Sequence, residues 1–327
     1  MTSMRDDVLV LGAGVIGLTT AVCLAEAGLR VRVLAAEPPV ATTSVAAGAM
    51  WGPAFAEPAE QVLGWSRTGL AEFTALAGDE TTGVSLVRGR MAARFPLPLD
   101  GELPPQVAVV PELADCLPEE LPEGYLSGQW CRVPLIDMPR YLRYLTGRLR
   151  SAGGTLEIRS VARLLDLVDL APVLVNCAGA GARRLVPDLA LQAVRGQSVV
   201  VTNPGVHEFF VEVSNEPEMT CYFPHGEHVV LGGVSLEGDW STEPDPAVAE
   251  QILARCAAVQ PLFSNAEVVE HRVGTRPTRA PIRVEATELG GARLVHCYGH
   301  GGLGVTLSWG SARQAAALAA PDRLSPS

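Results

Sequence analysis

Residues 8–18 read Val8-Leu9-Val10-Leu11-Gly12-Ala13-Gly14-Val15-Ile16-Gly17-Leu18, and TTAVCLAEA with Gly28 follows. Four apolar residues, Val8 to Leu11, suit a short buried strand that stops at Gly12. Residues 15–27 suit a helix closed by Gly28. Gly12, Gly14 and Gly17 fit G-x-G-x-x-G between these two elements. The first glycine permits the tight turn, the second lets backbone approach a pyrophosphate, and the third lets helix and strand touch. The N–H groups and dipole of the helix start then face phosphates. Val31-Arg32-Val33-Leu34 supplies a second strand, and Glu37 stands 20 residues past Gly17, where an acid binds ribose hydroxyls. A carboxylate there disfavours a 2′-phosphate. The chain therefore begins as a dinucleotide-binding βαβ unit of α/β class.

Val8 to Ala25 also imitates a membrane span, being 18 residues without a charge. Three glycines, two threonines and an acidic leading segment argue instead for strand, turn and helix, with no secretory signal. The whole chain has 327 residues, 48 % apolar and 19 % charged, enough for a large core and about two domains. Net charge is −11, which repels nucleic acid and anionic lipid alike. The partner is expected to be a small molecule. Seven cysteines lie scattered without a CxxC pair or zinc spacing. They read as reduced, buried thiols in a cytoplasmic protein with no metal site.

After residue 51 the texture changes. Prolines crowd residues 52–139, and helical periodicity is confined to about 59–77, so this stretch reads as an insertion outside the sheet. Pro139 opens an amphipathic helix that stops at Gly153-Gly154, and TLEI with VLVNCAGAG resumes strand-and-turn grammar. Residues 191–270 are β-rich, and the chain ends in strand, glycine-dense turn and alanine-rich helix. The expected architecture is a Rossmann-type nucleotide domain (1–51, 140–190, 271–327) interleaved with a β-rich α+β substrate domain (52–139, 191–270).

Thr42-Thr43-Ser44 could serve phosphate, and the small residues 46–49 could lie against a flat ring. Asn176-Cys177-Ala178-Gly179 is another small-residue loop. Near the end, His296-Cys297-Tyr298-Gly299-His300-Gly301-Gly302-Leu303-Gly304-Val305-Thr306 suggests backbone in extended contact with a ligand. A helix beginning at Thr306 would aim its positive end at the pyrimidine side of a flavin.

With VLGAGVIGLTTA (10–21), VAAGAMW (45–51), VNCAGAGA (175–182), RGQ (195–197), LGGVSLEGDW (231–240), GTRPTRAPIRVE (274–285) and YGHGGLGVT (298–306), the chain resembles the D-amino-acid oxidase family. The resemblance implies a glutathione-reductase-like flavoprotein with FAD. It implies oxidation of a D-amino acid by hydride transfer with oxygen as acceptor; one arginine for the α-carboxylate and no second basic group assigned to a side-chain acid make neutral D-amino acids the expected substrates. The products would be a 2-oxo acid, ammonia and hydrogen peroxide. It implies cofactor contacts at Gly12, Gly14, Val15, Ile16, Gly17, Glu37, Thr42, Thr43, Ser44, Gly48, Ala49, Met50, Val161 and Gly179, and at Gly299 and Gly301 to Thr306. Carried over by motif, the carboxylate-binding arginine falls on Arg283, the substrate-contacting tyrosine on Tyr222, and the carbonyl that meets the amine on Gly302. Arg276 and Arg279 then read as solvated or ion-paired charges, and His300 as structural.

Three departures from the family pattern stand out. VEVSNEPEMT before Tyr222 is short and holds no aromatic lid, Leu303 replaces an aromatic, and the terminal Ser-Pro-Ser is no peroxisomal signal. Oligomeric state stays open, a homodimer among the alternatives. Competing readings are a glycine- or sarcosine-type oxidase, a D-aspartate oxidase, an NAD-binding dehydrogenase, and a non-catalytic flavin-binding protein.

Overall fold

In a computed structural model, residues 6–97 and 103–324 are described. The first five residues and the terminal Ser-Pro-Ser, on which the readings about targeting rest, lie outside them. One 14-stranded mixed sheet runs through the molecule. Its strands are β1 (Val8–Leu11), β2 (Val31–Ala35), β3 (Val84–Ala93), β4 (Ala114–Asp115), β5 (Ser127–Ile136), β6 (Thr155–Ile158) and β7 (Val173–Asn176). They continue with β8 (Gln192–Thr202), β9 (Phe209–Glu212), β10 (Glu218–His225), β11 (His228–Val234), β12 (Leu236–Glu237), β13 (Val268–Leu289) and β14 (Ala292–His300). The main helices are α1 (Val15–Glu26), α2 (Ala59–Leu76), α3 (Met138–Ser151), α4 (Pro246–Val259) and α5 (Gly304–Ala319).

The order β4-β5-β3-β9-β10-β11-β8-β13-β14-β7-β1-β2-β6 joins two halves. In one, β14, β7, β1, β2 and β6 pair in parallel. In the other, antiparallel pairs dominate, and residues 52–139 belong to the sheet: β3 pairs β5 along ten positions and β9 in parallel. The expected insertion outside the sheet is therefore wrong. The prolines that suggested it fall mostly in loops, while Val84–Ala93 and Ser127–Ile136 are two uninterrupted strands apart from Pro134. β13 spans both halves, pairing β8 over Val268–Thr278 and β14 over Arg283–Leu289.

The apolar run from Val8 to Ala25 is β1, a turn and most of the 12-residue α1, buried against α5 and α3. No helix among the described residues is long and apolar enough to cross a membrane. Behind the parallel strands, Trp309 of α5 donates its indole N–H to the Tyr141 hydroxyl of α3 at 2.9 Å. Both side chains are fully buried, and this contact ties the last helix to the middle of the chain. All seven cysteines are free thiols.

Candidate active site

A cavity of about 1540 Å³ runs from the β1–α1 turn to the antiparallel half. Every residue expected to touch a cofactor lines it except Gly17. Gly17 acts from behind. A Cβ there would sit 1.9 Å from the Gly12 carbonyl oxygen and 3.3 Å from Cys177 Cβ, so α1 can approach β1 and β7 only because the side chain is missing. Gly12 itself has φ +104°, a conformation open to glycine alone at little cost. Ser44 departs from its expected part. Its hydroxyl accepts from Val15 N–H at 2.9 Å, so one of the helix-start donors is already engaged by protein.

The strip Val45–Trp51 crosses the cavity wall. Gly48 lies so close to Phe223 that a Cβ would meet its ring at 2.6 Å. Ala49 has φ +54°, a left-handed conformation that costs an L-residue about 1–2 kcal/mol. Opposite, a short turn at Gly301–Leu303 leads into α5, which starts at Gly304, two residues before the expected Thr306. No side chain caps the N-terminus of α5, leaving its positive end to the cavity. His300 lines the cavity, but its Nε2 lies 3.0 Å from Ser311 Oγ and burial pushes its pKa down to about 4. It is a neutral, structural ring.

Two expected substrate residues are elsewhere. On β10, Met219, Cys221 and Phe223 line the cavity, so the strand's period of two turns Tyr222 to the other face. There its ring is 2 % exposed, stacked on Phe210 at 5.6 Å and edge-on to Phe263 at 5.1 Å. The alternation in MTCYFPH was the signal that would have placed it. Arg283 does not line the cavity either. Pairing of β13 with β14 is interrupted between Thr278 and Arg283, and Arg283 lies beyond the break, opposite Tyr298. It donates to the Tyr298 hydroxyl at 2.7 Å and to Glu285 at 2.7 Å. Asp188 accepts from both Tyr298 and Arg279 at 2.8 Å. Burial alone would raise the Asp188 pKa, but these two donors outweigh it and hold the carboxyl below its ordinary value. Arg279, Arg283 and Asp188, none of which lines the cavity, thus form one satisfied network with the hydroxyl of Tyr298, which does.

The arginine that lines the cavity from β13 is Arg276. Its Nη1 donates to the Val234 carbonyl at 3.0 Å and to Ser235 Oγ at 2.9 Å. The guanidinium lies over Gly196, where a Cβ would be 2.6 Å from Nη2, and its Cδ approaches Gly302. Among the described residues no carboxylate pairs with it. Burial lowers its pKa from the ordinary value. A guanidinium held in a semi-enclosed space without a counter-charge is short of one anion. Arg276 and Gly302 are brought together; Arg283 and Tyr222 are not.

Around Arg276 the strand wall is apolar, made by Met91, Val211, Val213, Met219, Cys221 and Phe223. The remaining arginines of the lining, Arg159 and Arg184, sit in the parallel half with Glu37. His225, His228 and Arg272 face a separate cavity of about 150 Å³. No group of three or more residues suited to hold a metal ion occurs among the described residues.

The cradle fits FAD: two glycine turns meet in one cavity of about 1540 Å³, with an acid, Glu37, and the uncapped start of α5 in its lining. The family model described as FAD dependent oxidoreductase matches residues 7–318. A D-amino-acid oxidase of Rubrobacter xylanophilus is 47 % identical over 324 residues, covering 98 % of both chains. One of Streptomyces coelicolor is 46 % identical over 319 residues, covering 96 % of this chain and 97 % of that one. Among solved structures, glycine oxidase from Geobacillus kaustophilus superimposes with TM-score 0.79 at 22 % identity, over 98 % of this chain and 95 % of that one. A family model across nearly the whole chain and relatives of this identity leave one conclusion, that the chain belongs to the DAO family of FAD-dependent oxidoreductases.

Proposed function

We propose that the protein oxidises neutral D-amino acids with oxygen, yielding a 2-oxo acid, ammonia and hydrogen peroxide. The observation that carries this reading is Arg276, a guanidinium without a carboxylate partner among the described residues, beside Gly302 and an apolar strand wall. The D-amino-acid oxidases that match along nearly the whole chain supply the substrate class. The two glycine turns and the strip at Gly48–Met50 would hold FAD, which would supply the acceptor for the α-hydrogen and its electron pair and the route of those electrons to oxygen. The chain does the rest by alignment.

The Arg276 fork takes both oxygens of the α-carboxylate, and the Gly302 carbonyl takes the neutral amine. Fixing those two points leaves the α-hydrogen only one direction, which is worth far more than any single contact. The apolar wall keeps water from the reacting carbon, and the start of α5 stabilises negative charge beside it. No protein base is assigned at Cα, in keeping with the neutral, hydrogen-bonded His300. We assign the cofactor to segments 1–51, 140–190 and 271–327 and the amino-acid side chain to 52–139 and 191–270. We place the protein in the cytoplasm, supported by its free thiols.

A visible spectrum tests the reading. FAD should be released to the supernatant by acid, and anaerobic D-alanine or D-methionine should bleach the absorbance near 450 nm characteristic of flavins. A colourless protein, or a yellow one bleached by none of the D-amino acids, overturns it. Glycine bleaching faster than either would favour the glycine-oxidase alternative.

Side-chain charge gives a second test. The strand wall offers no cation beyond Arg276, since Arg272, His225 and His228 face the rear cavity and Arg279 is paired with Asp188. A side-chain carboxylate would enter unpaired, so kcat/KM for D-aspartate should fall at least about 100-fold below that for D-methionine, in line with about 3 kcal/mol for an uncompensated charge. The reverse order overturns the neutral preference.

A further inference from the structure

The strip Val45–Trp51 is gripped from behind, from the side away from the main cavity. His225 Nε2 lies 3.0 Å from the Gly48 carbonyl oxygen, and Ile136 N–H donates to the Ala49 carbonyl at 2.8 Å. Because the Gly48 oxygen only accepts, Nε2 carries the proton and donates. His225 stands in the rear cavity with Asp137, His228, Glu270 and Arg272, whereas Gly48 and Ala49 line the main one. The strip is therefore a partition, and the imidazole holds it from the far side.

In a trans peptide the C=O and N–H point in opposite directions. A Gly48 carbonyl turned to the rear sends the Ala49 N–H forward into the main cavity. The same peptide plane precedes Ala49, whose left-handed φ of +54° is unfavourable for alanine and needs to be held. Phe223, two residues before His225 on β10, closes over Gly48 and prevents the plane from tilting toward it. Glu270 is committed to Arg272 at 2.7 Å, and Arg272 Nη1 reaches the Val45 carbonyl at 3.4 Å, gripping the same strip three peptide groups further back.

We propose that His225 is a positioning residue for the cofactor: by anchoring the Gly48 carbonyl it fixes the Gly48–Ala49 peptide plane and presents the Ala49 N–H to the flavin ring. The inference rests on the reading that FAD occupies the main cavity. Burial holds the imidazole below its ordinary pKa, with Asp137 and Arg272 pulling in opposite senses, so the ring donates as a neutral group. It touches neither cofactor nor substrate and acts through the backbone.

The test uses full-length apoprotein titrated with FAD, read by flavin fluorescence and by the visible spectrum of the complex. His225→Leu should weaken FAD about 3- to 10-fold, the net worth of one hydrogen bond, and shift the flavin absorption bands. His225→Gln keeps a donor at the Nε2 position and should stay near the wild type in both readouts. His228→Leu, in the same rear cavity without a bond to the strip, should change neither. Wild-type affinity and spectrum in His225→Leu, or a Gln variant no better than Leu, overturns the inference. Should far-UV circular dichroism find the Leu variant unfolded, His225→Asn, whose donor stops short of Gly48, replaces it against Gln. Equal affinity of Asn and Gln then counts against the proposal. A wild-type chain that takes up no FAD overturns the cofactor reading itself, whatever the variants do.

Discussion

Arg276→Leu should keep the yellow colour and lose the reaction. Arg276 is not among the residues assigned to the cofactor, and leucine fills part of the space over Gly196, so FAD content should stay near the wild type. The substrate carboxylate would then enter a partly dry chamber with no partner. Removing one member of a buried charge pair costs about 3–5 kcal/mol, so kcat/KM should fall roughly 10²- to 10⁴-fold. Arg276→Lys should recover only part of this, because a point charge cannot hold both oxygens and so cannot fix the α-hydrogen. Arg283→Leu is the matched comparison. Arg283 itself does not line the cavity; the change breaks its bonds to Tyr298 and Glu285 and should lower thermal stability while changing kcat/KM less than about tenfold. If Arg283→Leu abolishes turnover and Arg276→Leu spares it, the anchor has been assigned to the wrong arginine.

Gly17→Ala should produce a protein that does not hold FAD. The new methyl would lie 1.9 Å from a backbone oxygen and 2.9 Å from the carbonyl carbon of Gly12, neither of which can move without opening the β1–α1 turn. Overpacking of this kind costs on the order of 3 kcal/mol or more, equivalent to at least about 10² in FAD affinity. Gly14→Ala is milder, since its Cβ meets the movable Ser44 hydroxyl at 3.0 Å. The flavin-to-protein absorbance ratio after purification measures both. A Gly17→Ala variant with wild-type flavin content would mean that the turn is not the cofactor cradle.

The parts of this site that could be read from sequence are those where chemistry restricts the residue type locally. A strand ending in G-x-G-x-x-G, an acid after the second strand, and a run of glycines before a helix each carry their reason within a dozen residues. Gly17, Glu37 and the Gly299–Thr306 turn were legible for that cause. The substrate residues were not, because their roles depend on which face of a strand looks inward. Tyr222 and Cys221 are neighbours, and one step along β10 exchanges cavity for core. Arg276, Arg279 and Arg283 occupy one 22-residue strand, and the interruption after Thr278 separates a cavity arginine from a structural one. The apolar flanks Ile282 and Val284 favoured Arg283 in the sequence, whereas Arg276 stands between Thr275 and Pro277; its place in the cavity and the lack of a carboxylate partner among the described residues are visible only in the fold. Residues 52–139 misled in another way, since proline density marks loops between strands as readily as it marks a segment outside the sheet.

The pairing of β1 has a consequence for how the protein comes into being. β1 is held on one side by β2, close in sequence, and on the other by β7, with β14 beyond it. The nucleotide turn is made well before the strand and turn that close the cavity over that site, Ala292–His300 and Gly301–Leu303. Pairings this distant are slow to form, and loop closure opposes them until the whole chain is present. During synthesis the β1–α1 unit must wait with its apolar strand face and its glycine turn uncovered, a state prone to association. The cofactor can therefore be captured only after the Ala292–Leu303 segment has been made. At that point FAD becomes a ligand of the finished fold, and its cellular supply helps decide how many newly made chains stay folded.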